Sequence, residues 1–282
     1  MWRSRILLIC LTALVSSAIY GQEIIPTAVK DVSFDADYFA AMSNDKYGVI
    51  VLTGSDGGKS QYTANRIATM GFHVLSLAYF DKNGSGKVPE ALKMIPLEYF
   101  EAPKKWLTAL EGTRNDGVIL YGLSKGAELA LVLASYDSDY KGVIALAPSN
   151  VVWQAPREPP GEMSSSWSRQ SKGLPFVPYM SQAKKEELGF TNLHEASLTN
   201  ETAVKNALIN VENIQIPILL LSGTADKAWP ATSIGEKICA RVNAIKTTSC
   251  KHVVYQEGDH LLTNYQNESF GEVEKFLNSL SK

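Results

Sequence analysis

The sequence predicts an α/β fold, a mostly parallel sheet with helices on both faces, and three observations predict it. Short runs rich in Val, Ile and Leu recur along the chain, and longer stretches of helical period separate them. Each run is apolar almost throughout instead of alternating with polar residues, as strands buried on two faces require. The chain has 282 residues, 45% apolar and 20% charged, enough for one large core that needs no metal or disulfide framework.

The N terminus reads as a separate unit. Arg3 and Arg5 precede an apolar stretch over residues 6–15, and the small residues Ser16, Ser17 and Ala18 follow. That is the pattern of a secretory signal peptide, assigned to residues 1–21. Cleavage after Ala18 fits the small-x-small rule best, and cleavage after Gly21 marks the outer bound. The apolar part is shorter than the roughly 20 residues a bilayer span needs. The expectation is therefore an exported protein, periplasmic or secreted, with no membrane span left after cleavage and residues 22–282 as its domain.

The first strong strand is expected at residues 48–53 (GVIVLT), followed by 73–78 (HVLSLA), 117–121 (GVILY), 142–146 (GVIAL), 218–222 (ILLLS) and 253–256 (VVYQ). Helices are expected to begin near Gly58, Leu97, Ser124, Pro230 and Ser269. Residues 22–47 have room for two short strands. Residues 149–214 break the rhythm: they carry no apolar strand, five prolines including Pro156 and Pro175, and the large aromatics Trp153, Trp167, Phe176 and Tyr179. So many large aromatics need a surface to pack on, so the segment reads as a cover between the sixth and seventh strands, with short helices at 182–188 and 203–210.

The most informative pentapeptide is Gly122-Leu123-Ser124-Lys125-Gly126, directly after the strand GVILY and before the helix-forming AELALVLAS. G-x-S-x-G between a strand and a helix puts a serine on a tight turn, with glycines removing the Cβ atoms that would clash with nearby backbone. A serine hydroxyl is a weak nucleophile near neutral pH, so it needs a base and a carboxylate to orient that base. In chain order those should be acid, then histidine. Asp226 follows ILLLSGTA and His260 follows VVYQEGD, both at the C-terminal edge of the expected sheet, where active groups of open α/β sheets collect. His73 starts a buried strand, His194 lies in the cover and His252 precedes the last strand. Asp259 is the rival acid, but adjacent loop residues point in different directions.

An oxyanion formed at such a serine needs two donors. One is the backbone N–H of Lys125, at a helix N-terminus. The other is expected from the Gly-rich loop at residues 54–58, from Ser55 or Asp56. Glu128, one turn after Ser124, is read as pairing with Lys125 or a neighbouring loop and holding the turn. Cys239 and Cys250 are eleven positions apart, and the spacing leaves open whether they pair.

Other chemistries fail on counting. Residues 54–60 (GSDGGKS) look like a phosphate-binding P-loop, but Thr53 stands where its first glycine should be. Gly84-Ser85-Gly86 lacks the third glycine and the preceding strand of a dinucleotide site. No His, Cys or carboxylate spacing suggests a metal, and no cofactor is expected. The formal charge of −2 becomes −4 without Arg3 and Arg5, with no basic cluster, so no nucleic-acid partner is expected.

With these positions placed, the chain resembles the α/β-hydrolase superfamily, and within it the C-terminal domain of acyl-CoA thioesterases and bile acid-CoA:amino acid N-acyltransferases, relatives of dienelactone hydrolases. The resemblance covers roughly residues 48–277 and rests on GVIVLTGSDGG, LAYF, IPLEYFEAPKKWL, YGLSKGAELAL, the SSWS and GLPFVPY of the cover, and ILLLSGTADKAWP. It implies an α/β-hydrolase fold and the roles nucleophile for Ser124, acid for Asp226 and base for His260. The expected partner is a small acyl ester or acyl thioester. Amino-acid-conjugating members carry cysteine where this chain has Ser124, so the resemblance implies hydrolysis over transfer to an amine. Eukaryotic members also carry an N-terminal β-sandwich domain, for which residues 22–47 have no room. Coenzyme A is a cytosolic cofactor that an exported enzyme would rarely meet, so the acyl donor stays open. The competing readings are a non-catalytic binding protein on a hydrolase scaffold and a secreted peptidase.

Overall fold

The structure is a computed structural model, and it describes residues 24–30, 33–41, 44–84, 86–156, 162–245 and 248–281. The expected leader lies outside the described residues. No helix among the described residues is long and apolar enough to cross a membrane.

One eight-stranded sheet organises the chain: β1 (Thr27–Ala28), β2 (Asp35–Phe39), β3 (Lys46–Leu52), β4 (Val74–Ala78), β5 (Thr113–Leu123), β6 (Tyr140–Leu146), β7 (Ile218–Gly223) and β8 (Cys250–Tyr255). Their spatial order is β1-β2-β4-β3-β5-β6-β7-β8, antiparallel where β2 meets its neighbours and parallel from β4 to β8. The alternation within β3 explains the continuous apolar runs. Ile50 and Leu52 pack on one face with α2 (Glu101–Thr108), α3 (Lys125–Tyr136) and α7 (Ala231–Ile245); Val49 and Val51 pack on the other with α1 (Gln61–Ala68) and α8 (Gln266–Leu280). Both faces exclude water, so neither set of positions tolerates a polar residue.

The differences from the expected boundaries have physical causes. β5 starts four residues earlier than expected, because Thr113 pairs with Lys46 of β3 ahead of a register shift, in a polar stretch that is half-buried to exposed. β8 starts at Cys250, so His252 lies inside the strand, with Nε2 2.8 Å from Ser222 Oγ. As an edge strand it is exposed to half-buried over residues 251–254, and its polar first half, Lys251 and His252, carries no apolar signal. α8 starts three residues before Ser269, continuing a 3₁₀ turn at Thr263–Tyr265. α1 begins at Gln61 behind the N-cap Ser60, whose side chain accepts from Thr63 N.

The cover leaves β6 and returns at β7. It contains short strands that the sequence did not reveal: Trp167–Arg169 joins Ile95–Pro96 and Lys172–Gly173 in a three-stranded sheet, and Trp153 bridges to Val177. Two- and three-residue strands carry no periodicity to read. Its helices are α4 (Gln182–Glu187), α5 (Leu193–Ser197) and α6 (Glu201–Ala207), so α6 starts and ends earlier than expected and α5 was missed. Five residues are too few for a helical pattern; α5 is announced only by its N-cap, Asn192, which accepts from Glu195 N at 3.0 Å. Trp153 and Trp167 are fully buried, which is how the aromatic richness of the cover is satisfied.

Cys239 of α7 and Cys250 of β8 are disulfide-bonded, with Cα atoms 5.0 Å apart. Asn243 reinforces the junction by donating to Cys250 O and accepting from Cys250 N. Replacing both cysteines by alanine is expected to cost about 3 kcal/mol through restored freedom of the unfolded loop. Thermal unfolding followed by circular dichroism should show a midpoint lower by about 6 to 12 °C. An unchanged midpoint would refute this contribution.

Candidate active site

Ser124 sits between the end of β5 and the first turn of α3, with φ 55° and ψ −116°. This is a strained conformation for a residue with a Cβ, and the neighbours hold it there. Ser124 N donates to Leu146 O at 2.9 Å, while its carbonyl accepts from Ala127 N and Glu128 N. The two glycines of the motif are required by close approach: a Cβ on Gly122 would lie 2.1 Å from Gly126 O, and one on Gly126 would lie 2.3 Å from Leu52 O. The strand, turn and helix can meet only without side chains at those two places.

His260 bridges the other two expected residues. Its Nε2 is 2.8 Å from Ser124 Oγ and its Nδ1 is 2.7 Å from Asp226 Oδ2. These contacts are satisfied together when Nδ1 carries the proton and donates to the carboxylate, leaving Nε2 to accept from the serine hydroxyl. Asp226 Oδ1 accepts from Ala228 N at 2.8 Å and Trp229 N at 3.3 Å, so the carboxylate both closes its own loop and faces the imidazole. The Asp226 side chain is 2% exposed and that of His260 21%: the acid is sealed and the ring edge is open to the cleft. The acid and base loops are stitched by Thr224 N to Tyr255 O, Ala225 N to Gly258 O and Glu257 N to Thr224 Oγ1. Trp229 meets His260 edge to face at 5.5 Å.

Asp259 turns elsewhere. Its Oδ1 accepts from Thr263 N at 2.8 Å, and that bonding holds its carboxyl below the usual range. His73 is a core histidine, with Nδ1 2.5 Å from Tyr38 Oη.

Ser124 and His260 open onto a cleft of about 1100 Å³, while Asp226 is sealed behind them. Ser55, Asp56 and Lys125, expected to supply oxyanion donors, all line it. Gly54 touches the serine directly: a Cβ there would be 3.2 Å from Ser124 Cβ. The loop at residues 54–58 therefore runs beside Ser124. The Asp56 side chain is exposed and paired with Lys82 at 2.7 Å. The amides of Gly57 and Gly58 are committed to Gly54 O and Phe80 O. No group of three or more His, Cys, Asp or Glu among the described residues could hold a metal ion.

Two features of the site were not legible in the sequence. Glu128 pairs with Lys125 as expected, at 2.8 and 2.6 Å, but Glu128 Oε1 also accepts from Trp153 N at 3.1 Å and Trp167 Nε1 at 2.6 Å, both from the cover. Burial pulls the Lys125 proton affinity down and pushes that of Glu128 up, each opposed by the partner's charge. The one available signal was an acid in an otherwise apolar helix. The second feature is His194 of α5, which lines the cleft inside a frame of Trp153, Tyr179 and Trp229, its ring perpendicular to all three at 4.7 to 5.4 Å. Beside it, Asn192 Nδ2 donates to the carbonyls of Lys227 and Ala228, fastening the cover to the acid loop.

Burial pushes the His194 pKa down to about 4, with the Lys125 ammonium adding to the effect and a bond to the Ala228 backbone and the Asp226 carboxylate opposing it. The folded chain thus keeps this ring neutral where the unfolded chain would bind a proton, below about pH 6.5. Stability present above pH 6.5 is lost as pH falls toward 4. Wild type should lose about 2 kcal/mol between pH 7.5 and 5 from this group alone. Urea denaturation of wild type and His194→Gln at both pH values should show the variant missing that part of the slope, and parallel slopes would refute the assignment.

The family described as BAAT / Acyl-CoA thioester hydrolase C terminal matches residues 95–265. Among curated relatives, the mouse mitochondrial acyl-coenzyme A thioesterase 2 is 28% identical over 216 residues, 76% of this chain and 45% of the relative. Human acyl-coenzyme A thioesterase 1 is 26% identical over 220 residues, 76% of this chain and 48% of the relative. The chain thus spans about half the length of the curated relatives it matches. Among solved structures, 2,6-dihydroxy-pseudo-oxynicotine hydrolase superposes with a TM-score of 0.58 at 18% identity, over 91% of this chain and 68% of that one. A putative dienelactone hydrolase from Klebsiella pneumoniae gives 0.58 at 16% identity, over 92% and 99%. At such identities these likenesses establish the α/β-hydrolase fold.

Proposed function

Because the chain belongs to the BAAT / acyl-CoA thioester hydrolase C-terminal family, we propose that it cleaves acyl esters or acyl thioesters through an acyl-enzyme on Ser124. The observation that carries the reading is the bridge made by His260, which touches Ser124 Oγ with one nitrogen and Asp226 with the other. In the first half-reaction Ser124 Oγ attacks the acyl carbonyl and gives its proton to His260 Nε2, while Asp226 stabilises the imidazolium. The amide of Lys125, helped by the N-terminal dipole of α3, and that of Ser55 or Asp56 receive the oxyanion. The imidazolium then protonates the departing alcohol or thiol. Water repeats the sequence on the acyl-enzyme, with His260 as its base, and frees the acid.

The acyl group would rest on the cleft wall formed by Leu193, Tyr179 and Trp229. Export belongs to the same proposal. What supports it is the charged and apolar pattern of residues 1–21 together with the formed Cys239–Cys250 disulfide, a bond that persists in oxidising compartments. An exported enzyme would draw on acyl donors other than coenzyme A.

The test is covalent. A fluorophosphonate probe should add one phosphonyl group to the purified protein, on the peptide that contains Ser124, and should abolish hydrolysis in a panel of acyl esters, acyl thioesters and aminoacyl amides. A folded protein that stays unlabelled is a binder, and cleavage confined to the amides makes it a peptidase; either result overturns the proposal.

A further inference from the structure

The carboxylate of Glu128 is fully buried yet completely satisfied. It lies on α3, one turn beyond Ser124, and receives Lys125 Nζ on both oxygens. Two further donors, Trp153 N and Trp167 Nε1, come from the cover, 25 and 39 positions further along the chain. Lys125 Nζ also stands 5.1 Å above the Trp167 ring, so one lysine, one glutamate and two tryptophans form a closed polar knot in the core. Burying a charged pair in this way is no efficient route to stability, since two apolar residues of similar size would serve as well or better. What the knot does achieve is geometric. It ties the cover to the side chain of Lys125, whose amide adjoins the nucleophile and faces the developing oxyanion.

We propose that Glu128 is a positioning residue, through which the tryptophans of the cover set the alignment of the Ser124–Lys125 turn for acyl transfer. The inference rests on the acyl-enzyme reading given above. Glu128 touches no reacting atom. Its influence passes along Lys125 to the oxyanion donor and to the Ser124 backbone, where displacements well below 1 Å weaken transition-state contacts while leaving ground-state binding in the cleft intact. On this account the cover is part of the catalytic scaffold, and its fastening at Glu128 is matched on the acid side by that at Asn192.

Glu128→Gln keeps the shape but offers an amide NH₂ where Glu128 presents acceptors only, and it leaves the Lys125 ammonium without a counter-charge. Turnover is measured per site titrated to completion with the fluorophosphonate, so that unfolded protein is not counted. The expected result is a fall in kcat of about 10- to 100-fold with KM changed less than about threefold. A residue that served stability alone would lower the melting temperature and leave kcat per titrated site unchanged, and that outcome overturns the inference. Should Glu128→Gln fail to fold, the double variant Lys125→Met with Glu128→Leu removes both charges together and is measured in its place. A deficit in kcat that persists there supports the inference, and wild-type turnover per site overturns it. Failure of the underlying reading looks different: wild type itself would then take up no probe.

Discussion

Ser124→Ala is expected to lower kcat on short acyl esters and thioesters by about 10³- to 10⁶-fold while the protein stays folded. The reason for the size is that the substitution removes just the hydroxyl, the group that lies 2.8 Å from His260 Nε2 and would attack the acyl carbonyl. The strained backbone at φ 55° is held by main-chain bonds to Leu146, Ala127 and Glu128, and alanine keeps all of them. Circular dichroism and thermal unfolding should therefore match wild type, and the variant should bind substrate in the cleft without turning it over. The phosphonate label should disappear with the activity. A folded variant that retains ordinary hydrolysis rates would remove Ser124 from the mechanism.

The second large effect is expected at Asp226→Asn, where kcat should fall by about 10⁴-fold. The carbonyl of asparagine can still accept from Ala228 N and Trp229 N, so the loop keeps its shape. The amide NH₂ is then left facing His260 Nδ1. A donor in that position makes Nδ1 an acceptor, moving the imidazole proton to Nε2, which would point it at Ser124 Oγ. The base is still present but holds its proton on the wrong nitrogen, and the imidazolium of the transition state has lost its counter-charge. Asp259→Asn serves as the control, because Asp259 is engaged with Thr263 and turned from the ring. Equal losses in the two variants would show that the loop, not the carboxylate of Asp226, matters.

Much of this was readable because the relevant signals are local. Strands β3 to β7 are buried on both faces, so their apolar runs stand out from the rest of the chain; β8, exposed along one edge, was recovered only in its second half. Gly122 is required by contact with Gly126 inside the turn and Gly126 by contact with the end of β3, and both leave their mark in the pentapeptide from which Ser124 was located. Asp226 and His260 each follow a strand end, and the topology of a parallel sheet sends all such ends to one rim. The cover resisted reading because its strands are two or three residues long and α5 rests on a single cap at Asn192.

What the sequence determined by itself was the fold class, the residue types available for chemistry and the chain order Ser124, Asp226, His260, since each depends on pattern within a few neighbouring residues. Only the tertiary structure decided which nitrogen of His260 faces which partner, that Cys239 meets Cys250, that Asp259 points away, and that Glu128 receives two tryptophans from the cover. Those outcomes depend on distances of a few ångströms between residues dozens of positions apart, and such distances are set by how the helices and loops pack on the sheet, a property of the whole chain that no short stretch of it encodes.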